Sequence, residues 1–206
     1  MKRRSLLIAT FNKGKLHELH QLLSNVPFVI SGLERFPSTQ TVPELGETFT
    51  ENASLKASGY AKQTGLLTLA DDSGLEVDGL SGAPGVLSAR YAHEGASDAE
   101  RTTKLLTELS RVRGAARQAR FVSVIAIADE GGKVINVSTG TCEGRIAEAP
   151  RGANGFGYDP VFIPAGFHQT FAELQAEEKN RISHRARALS GAAEFLRRLT
   201  VTSDDG

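Results

Sequence analysis

Several features that often reveal a protein's class are missing from this 206-residue sequence. A single cysteine, Cys142, excludes an internal disulfide framework and fits a reducing compartment, so the cytoplasm is the simplest location. Basic and acidic side chains cancel at 24 each, so no net field draws a nucleic-acid polymer or an anionic membrane to the whole surface. The first apolar run breaks at Asn12-Lys13, too early for a signal sequence or a membrane span. Any affinity for phosphate must therefore be local.

Internal repeats, low-complexity linkers and blocks of like charge are also absent. The length and the 40% hydrophobic content suit one globular core. We therefore predict a single domain over residues 1–199, followed by a polar tail over residues 200–206.

Apolar spacing and capping signals predict alternating helices and strands. Ser5 to Thr10 predicts a strand, and the spacing from Lys13 onward predicts a helix. Capping boxes at Thr48-x-x-Glu51 and Ser97-x-x-Glu100 open two more helices, and Gly65 is a candidate C-cap. The result is a mixed α/β fold.

The remaining elements follow from the same signals. Leu66 to Ala70 predicts a buried strand, and Phe121 to Ala128 with Val134 to Thr141 predicts a hairpin. A last helix is indicated by an apolar stripe of Ile182, Ala186, Leu189, Ala193 and Leu196.

Two adjacent carboxylates, Asp71 and Asp72, are predicted to lie where the buried strand ends in a Ser-Gly turn. Adjacent acids repel each other unless a cation or a shared proton relieves them, and oxygen ligands on a polar turn suit Mg²⁺. The alternative is that one of them caps a turn.

A second group of candidates surrounds the start of the helix at Thr48. Glu44 and Glu47 precede it, and Asn52 and Lys56 share one of its faces. Lys56 either points into a cleft or extends its ammonium group to solvent.

The segment from Thr10 to Lys15 joins a strand to a helix, where backbone N–H groups and the helix dipole attract anions. It has no G-x-x-x-x-G-K pattern, so it is not a P-loop. Asn12 as a plain N-cap beside solvated lysines is the alternative.

Two later segments also carry candidate ligands. Residues 151–160 form a glycine-rich loop that lacks the G-x-G-x-x-G pattern, so a nicotinamide cofactor is not expected, and an ordinary flexible loop is the alternative. Residues 179–185 place cations and a histidine in the first turn of the last helix and its approach, with Ser183 as N-cap. Because cations there oppose the helix dipole, either an anionic ligand or simple solvation must explain them. His17 and His20 are expected on a solvated face, without metal.

Taken in this order, the motifs resemble the inosine/xanthosine triphosphate pyrophosphatase family, which hydrolyses noncanonical purine nucleoside triphosphates. The resemblance rests on six segments: Ile8-Ala9-Thr10-x-Asn12-x-x-Lys15, Thr48-Phe49-x-Glu51-Asn52-Ala53-x-x-Lys56-Ala57, Ala70-Asp71-Asp72-Ser73-Gly74-Leu75, Gly82-Ala83-Pro84-Gly85-x-x-Ser88-Ala89-Arg90-Tyr91, Gly155-Phe156-Gly157-Tyr158-Asp159-Pro160 and Ser183-His184-Arg185. Phe11 departs from the family, which usually has Gly or Asn there.

The resemblance implies a two-lobed α/β fold with a mixed sheet and a central substrate cleft, usually as a homodimer. It also implies that Glu44 and Asp72 hold Mg²⁺, that Asp72 orients or deprotonates water, and that Asp71 supports the acidic centre. Lys56 is the second catalytic residue expected on this resemblance. Triphosphate contacts are implied for Thr10, Phe11, Asn12, Lys13, Gly14, Lys15, Lys56 and Ser73. Contacts to the base and sugar-phosphate are implied for Phe156, Gly157, Tyr158, Asp159, Lys179, His184 and Arg185.

Two alternatives remain open from sequence. One is a pyrophosphatase for modified pyrimidine or methylated nucleotides, as in the septum-formation inhibitor family. The other is a non-catalytic nucleotide-binding protein.

Overall fold

The fold is a six-stranded mixed sheet with five helices among the described residues. The computed structural model describes residues 4–112 and 116–201. The strands are β1 Arg4–Ile8, β2 Phe28–Gly32, β3 Leu67–Val77, β4 Gln118–Ala128, β5 Val134–Ile146 and β6 Phe162–Pro164. The helices are α1 Lys13–Leu22, α2 Phe49–Thr64, α3 Asp98–Arg111, α4 Ala176–Ile182 and α5 His184–Val201. The predicted tail therefore begins inside α5, and residues 202–206 lie outside the described part.

The strand order is β2-β1-β3-β4-β5-β6. β1 pairs in parallel with both β2 and β3, whereas β5 and β6 are antiparallel. β4 and β5 are neighbours joined by a short turn in which Asp129 N–H donates to the Lys133 carbonyl, so the predicted hairpin is confirmed. The predicted mixed α/β fold is confirmed as well.

The chain divides into two compact units. Unit 1 contains the chain up to Asp72, Ser123–Gly140 and the chain from Arg185 onward, and unit 2 contains Ser73–Val122 and Thr141–His184. Each unit has its own hydrophobic core. In unit 1, β1 and β3 pack with α1 and α5. In unit 2 the core is rich in aromatic rings, with the Phe121 and Phe162 centroids 4.6 Å apart.

Local capping chemistry defines the helix ends as the sequence predicts. The capping boxes of Thr48 with Glu51 and of Ser97 with Glu100 are both complete. Gly65 ends α2 with a φ of 66°, in the left-handed region that glycine adopts without steric cost.

β3 extends further than predicted. It continues through Asp71, Asp72 and Ser73 to Val77 instead of ending in a turn. Leu75 and Val77 are fully buried in the unit 2 core, and that burial keeps the chain extended. The prediction that the acidic pair lies at a strand end is therefore wrong, and neither aspartate caps a turn.

The predicted last helix is in fact two helices. Ser183, in an extended conformation, separates α4 from α5. Ile182 packs in the unit 2 core, whereas Leu189 and Leu196 pack in the unit 1 core, so the predicted stripe combined two faces. Lys179 and Arg181 consequently lie in the last turn of α4, where cations favour the helix dipole, and not at the start of the last helix.

None of the described helices combines the length and the apolar character needed to cross a membrane.

Candidate active site

The two adjacent carboxylates of β3 have different partners. Side chains alternate between the faces of a strand, so consecutive residues point in opposite directions. Asp71 Oδ2 lies 2.9 Å from Lys15 Nζ, whereas Asp72 Oδ1 lies 3.1 Å from Lys56 Nζ. Strand geometry thus separates two acids that are neighbours in sequence.

Lys56 joins Asp72 to Glu44. Its Nζ donates to Asp72 Oδ1 and to Glu44 Oε1, at 3.1 Å in each case. Lys56 is buried, so the alternative in which it extends to solvent is wrong. Burial would lower the pKa of Lys56, but Asp72, Asp71 and Glu44 outweigh it, and the net shift is upward. Lys56 stays charged between two carboxylates.

Asp72 has an unusual environment for an acid. Burial is the largest influence and raises its pKa, Glu44 raises it further, and Lys56 and Lys15 offset only part of the rise. Its Oδ2 is buried and has no hydrogen-bond partner among the described residues. Asp72 therefore has both the basicity and an oxygen for a further ligand or a water molecule.

Asp71 shows the opposite shift. Burial would raise its pKa, but Lys15, Arg185 and Lys56 together lower it well below its ordinary range. Arg185 Nε lies 3.7 Å from Asp71 Oδ2, and its guanidinium also forms an ion pair with Glu18 on α1. Asp71 thus favours its ionised form and pairs with Lys15 and Arg185, while its supporting role in the acidic centre stays a prediction.

The segment before α1 is a helix start capped by side chains. Asn12 is the N-cap, and its side chain accepts from Lys15 N–H at 2.9 Å, while Thr10 Oγ1 accepts from Asn12 N–H at 3.2 Å. Lys13 is exposed, but Lys15 is paired with Asp71, so the alternative of solvated lysines holds for only one of them. Phe11 is 61% exposed, with its ring edge against Tyr60.

Glu44 and Asp72 fit the predicted Mg²⁺ site by their chemistry. Both offer carboxylate oxygens around one ammonium group, and Asp72 Oδ2 has no other partner among the residues described. Within residues 4–112 and 116–201 no group of three or more His, Cys, Asp or Glu side chains is arranged to hold a metal. Two protein carboxylates suffice for Mg²⁺ when substrate phosphates and water complete its shell.

A second cluster of predicted residues lies in unit 2. Asp159 Oδ2 accepts from Lys179 Nζ at 2.6 Å and from Phe156 N–H at 2.8 Å. Lys179 Nζ also lies 5.0 Å from the centroid of the half-buried Phe156 ring. Gly155 permits this arrangement, because a Cβ there would meet Asp159 Oδ2 at 2.0 Å. The glycine-rich loop is therefore held by a buried ion pair.

Most of the remaining predicted site residues are buried. Tyr158 is in the unit 2 core, where its hydroxyl donates to the Ser88 carbonyl at 3.0 Å. The buried His184 ring stacks on Phe121 at 4.6 Å, and Ser73 is half-buried in β3. Simple solvation therefore does not explain Lys179, His184 or Arg185, which are all buried. His17 and His20 are exposed, as predicted.

Two contacts of the candidate site residues were missed from sequence. Glu18 pairs with Arg185, and Asp98 Oδ2 accepts from Gly157 N–H at 2.5 Å. The capping box identified the helix start at Asp98, but nothing in the sequence indicated its contact with a loop 59 residues away.

Comparison with known proteins agrees with the motifs. The model of the Ham1 family matches residues 6–195. The chain belongs to the Ham1 family. This Ham1 chain is 50% identical over 196 residues to a dITP/XTP pyrophosphatase of Desulforamulus reducens, covering 95% of this chain and 97% of the relative. It is 51% identical to a protein of the same description from Geobacter sulfurreducens, covering 93% and 96%.

Solved structures of Ham1 proteins share the fold. A HAM1 protein from Coxiella burnetii superposes with a TM-score of 0.87 at 43% identity, covering 95% of this chain and 99% of that one. The Staphylococcus aureus Ham1 protein gives a TM-score of 0.82 at 39% identity, with coverages of 94% and 98%. The resemblance seen in the six motifs is confirmed.

Proposed function

We propose that this Ham1-family enzyme hydrolyses noncanonical purine nucleoside triphosphates, namely ITP, dITP and XTP, to the nucleoside monophosphate and pyrophosphate in a Mg²⁺-dependent reaction. Removing these nucleotides from the cellular pool is the proposed role. The relatives described as dITP/XTP pyrophosphatases support the substrate class. The observation that carries the chemistry is Asp72, whose raised pKa and available Oδ2 suit a base that receives a proton from water.

The unit 1 residues have separate roles in this proposal. Glu44 and Asp72 would hold Mg²⁺, which, when bound, neutralises charge that develops on the phosphoryl oxygens. Asp72 Oδ2 orients the attacking water and takes its proton. Lys56 holds Asp72 and Glu44 in place and adds positive charge next to the phosphate. Asp71 keeps Lys15 at the same centre.

The start of α1 is the proposed triphosphate contact. Thr10, Phe11, Asn12, Lys13, Gly14 and Lys15 supply backbone N–H groups at a helix N-terminus together with two ammonium groups. Lys56 and Ser73 complete the proposed set.

Recognition of the base is proposed for unit 2 residues and Arg185. A keto oxygen at purine C6 accepts hydrogen bonds where the adenine amino group donates them, so N–H donors at that edge favour inosine and xanthosine over adenine. Phe156, with its half-buried ring, is the proposed stacking surface. The other proposed contacts are Gly157, Tyr158, Asp159, Lys179, His184 and Arg185. The homodimer and the cytoplasmic location stay predictions.

A panel of nucleotides tests the proposal. ITP, dITP, XTP, GTP, ATP and a modified pyrimidine triphosphate are incubated with and without Mg²⁺, and pyrophosphate and orthophosphate are measured separately. We expect Mg²⁺-dependent pyrophosphate from dITP and XTP and little from ATP. Orthophosphate alone, or preference for the pyrimidine, overturns the proposal, and tight calorimetric binding without turnover shows a non-catalytic binding protein instead.

A further inference from the structure

Glu44 belongs to a segment that precedes helix α2 in sequence and forms no strand or helix of its own. We call residues 40–48 the strap. Gln40 and Gln63 exchange two hydrogen bonds of 2.7 and 3.1 Å, and Val42 N–H donates to the Tyr60 hydroxyl at 3.3 Å. The strap thus begins at the C-terminal end of α2.

The other end of the strap is held by the first turn of the same helix. Gly46 N–H donates to Asn52 Oδ1 at 2.8 Å. Glu51 Oε2 accepts from Glu47 N–H at 2.7 Å and from Thr48 N–H at 3.1 Å. Between the two ends lies the ion pair of Glu44 and Lys56.

These contacts form a ladder in which the strap runs antiparallel to the helix. Its rungs pair 40 with 63, 42 with 60, 44 with 56 and 46 with 52. From one rung to the next, the chain advances two residues along the strap and three or four residues along the helix. Two extended residues span about 6.6 Å, and three or four helical residues rise about 4.5–6 Å. The two repeats nearly match, so every second strap residue meets one face of α2.

The rung at Asn52 is the most constrained. Asn52 is fully buried, and a Cβ on Gly46 would meet its Oδ1 at 2.8 Å and Glu51 Cβ at 2.6 Å. This rung lies two residues from Glu44 along the strap and one turn from Lys56 along the helix. The Gly46 contact therefore holds the strap backbone two residues from Glu44.

We propose that Asn52 is a positioning residue for the metal site: by holding Gly46, it places Glu44 beside Asp72 and so sets the affinity for Mg²⁺. This inference rests on the metal role given to Glu44 and Asp72 under the proposed function. If Asn52 only anchored the strap, replacing it would change the affinity for Mg²⁺ no more than replacing a residue of any other rung.

The ladder provides a matched control for that distinction. Asn52→Leu and Gly46→Ala break the rung next to Glu44 from its two sides. Gln63→Leu removes two hydrogen bonds at the far end of the same strap, on the same helix. All three variants remove strap contacts, but only the first two act next to the carboxylate.

Two measurements are made on the full chain. The first is the Mg²⁺ concentration that gives half-maximal pyrophosphate release from dITP, and the second is direct Mn²⁺ binding by electron paramagnetic resonance in the presence of a non-hydrolysable dITP analogue. Loss of a group that orients a metal ligand costs about 10- to 100-fold in metal affinity. We expect a shift of that size in both measurements for Asn52→Leu and Gly46→Ala, and none for Gln63→Leu.

The outcomes separate the two proposals. A parent protein that neither needs Mg²⁺ nor binds Mn²⁺ overturns the metal site itself. A Mg²⁺-dependent parent whose Asn52→Leu and Gly46→Ala variants keep the parent affinity overturns the role of Asn52 alone. An equal shift in metal affinity for Gln63→Leu also overturns the role of Asn52. If Asn52→Leu does not fold, Gly46→Ala decides.

Discussion

The ion pairs of unit 1 and unit 2 are built from the same residue types but differ in their balance of charge. In unit 1, the single ammonium group of Lys56 serves Asp72 and Glu44 together, and Asp72 keeps one oxygen without a hydrogen-bond partner among the described residues. In unit 2, Lys179 is matched to Asp159, whose Oδ2 also accepts from the loop at Phe156.

The difference shows what each cluster does. A balanced buried pair fixes a loop, because breaking it leaves an uncompensated charge. In the unit 1 cluster, burial and the neighbouring Glu44 raise the pKa of Asp72, so the cluster can accept a cation or a proton. Removing charge should therefore affect mainly activity in unit 1, whereas in unit 2 it should lower stability in addition to any loss of substrate contact.

The largest expected effect is on turnover in Asp72→Asn. Loss of the proposed base should lower kcat for dITP by about 10²–10⁴-fold, with nucleotide binding largely kept. Single-turnover kinetics and calorimetry measure the two quantities. Unchanged turnover would remove Asp72 from the mechanism.

The same variant tests the charge balance through stability. Because the folded state raises the pKa of Asp72, ionised Asp72 destabilises the fold above that pKa, and the penalty disappears as the pH falls through it. Asn mimics the neutral form, so we expect Asp72→Asn at pH 7 to unfold at the same or a higher urea concentration than the parent.

The next effect is on stability in Lys179→Met. This change leaves Asp159 buried without its cation and should lower the free energy of unfolding by about 3–5 kcal/mol. Urea denaturation measures it.

A double variant provides the control for that loss. Lys179→Met combined with Asp159→Asn leaves no unpaired charge, and the Asn oxygen can still accept from Phe156 N–H, so part of the lost stability should return. A double variant no more stable than Lys179→Met would show that packing, and not charge, holds this loop.

The smallest effect concerns a surface capping box in unit 2. Hydrogen bonds from the Ser97 hydroxyl and backbone lower the pKa of Glu100 to about 2. The stability that this carboxylate contributes is therefore present above its unfolded pKa and is lost as the pH falls toward the folded value. Ser97→Ala should cost about 1 kcal/mol and raise the Glu100 pKa, which carboxyl NMR titration detects. An unchanged pKa would contradict the hydrogen-bond cause.

Elements governed by local chemistry could be predicted from sequence. Caps at Thr48 and Ser97 depend on residues within three positions, and both form as predicted; the Asn12 cap, which the sequence offered as an alternative, forms as well. The length of β3 and the break at Ser183 could not be predicted, because both depend on a second core assembled from distant segments. The spacing of the apolar residues from Ile182 to Leu196 predicts one stripe, but it cannot show that these residues pack in two different cores.

In the candidate site, too, features that depend on residue type and order could be predicted, whereas contacts between distant segments could not. The acidic pair, Lys56 and Glu44 were predicted by residue type and order, and the structure brings them together. Glu18 and Asp98 were missed because each meets its partner only through tertiary contact, 167 residues away for Glu18. The reason why Asp71 and Asp72 have different partners was also missed. It comes from the alternation of side chains along an extended strand and not from a turn.

The pairing of β3 with β1 has a consequence for accurate folding. A strand that slips by one residue turns every side chain to the other face. Alternating burial guards against this in the second half of β3, but Leu67, Thr68, Leu69 and Ala70 are all buried, so the first half has no such pattern to fix its register. A slipped strand would bring Asp72 to Lys15 and leave Lys56 facing Ser73. The ion pairs of Asp71 and Asp72 therefore also favour the native register of this half of β3 over a slipped one.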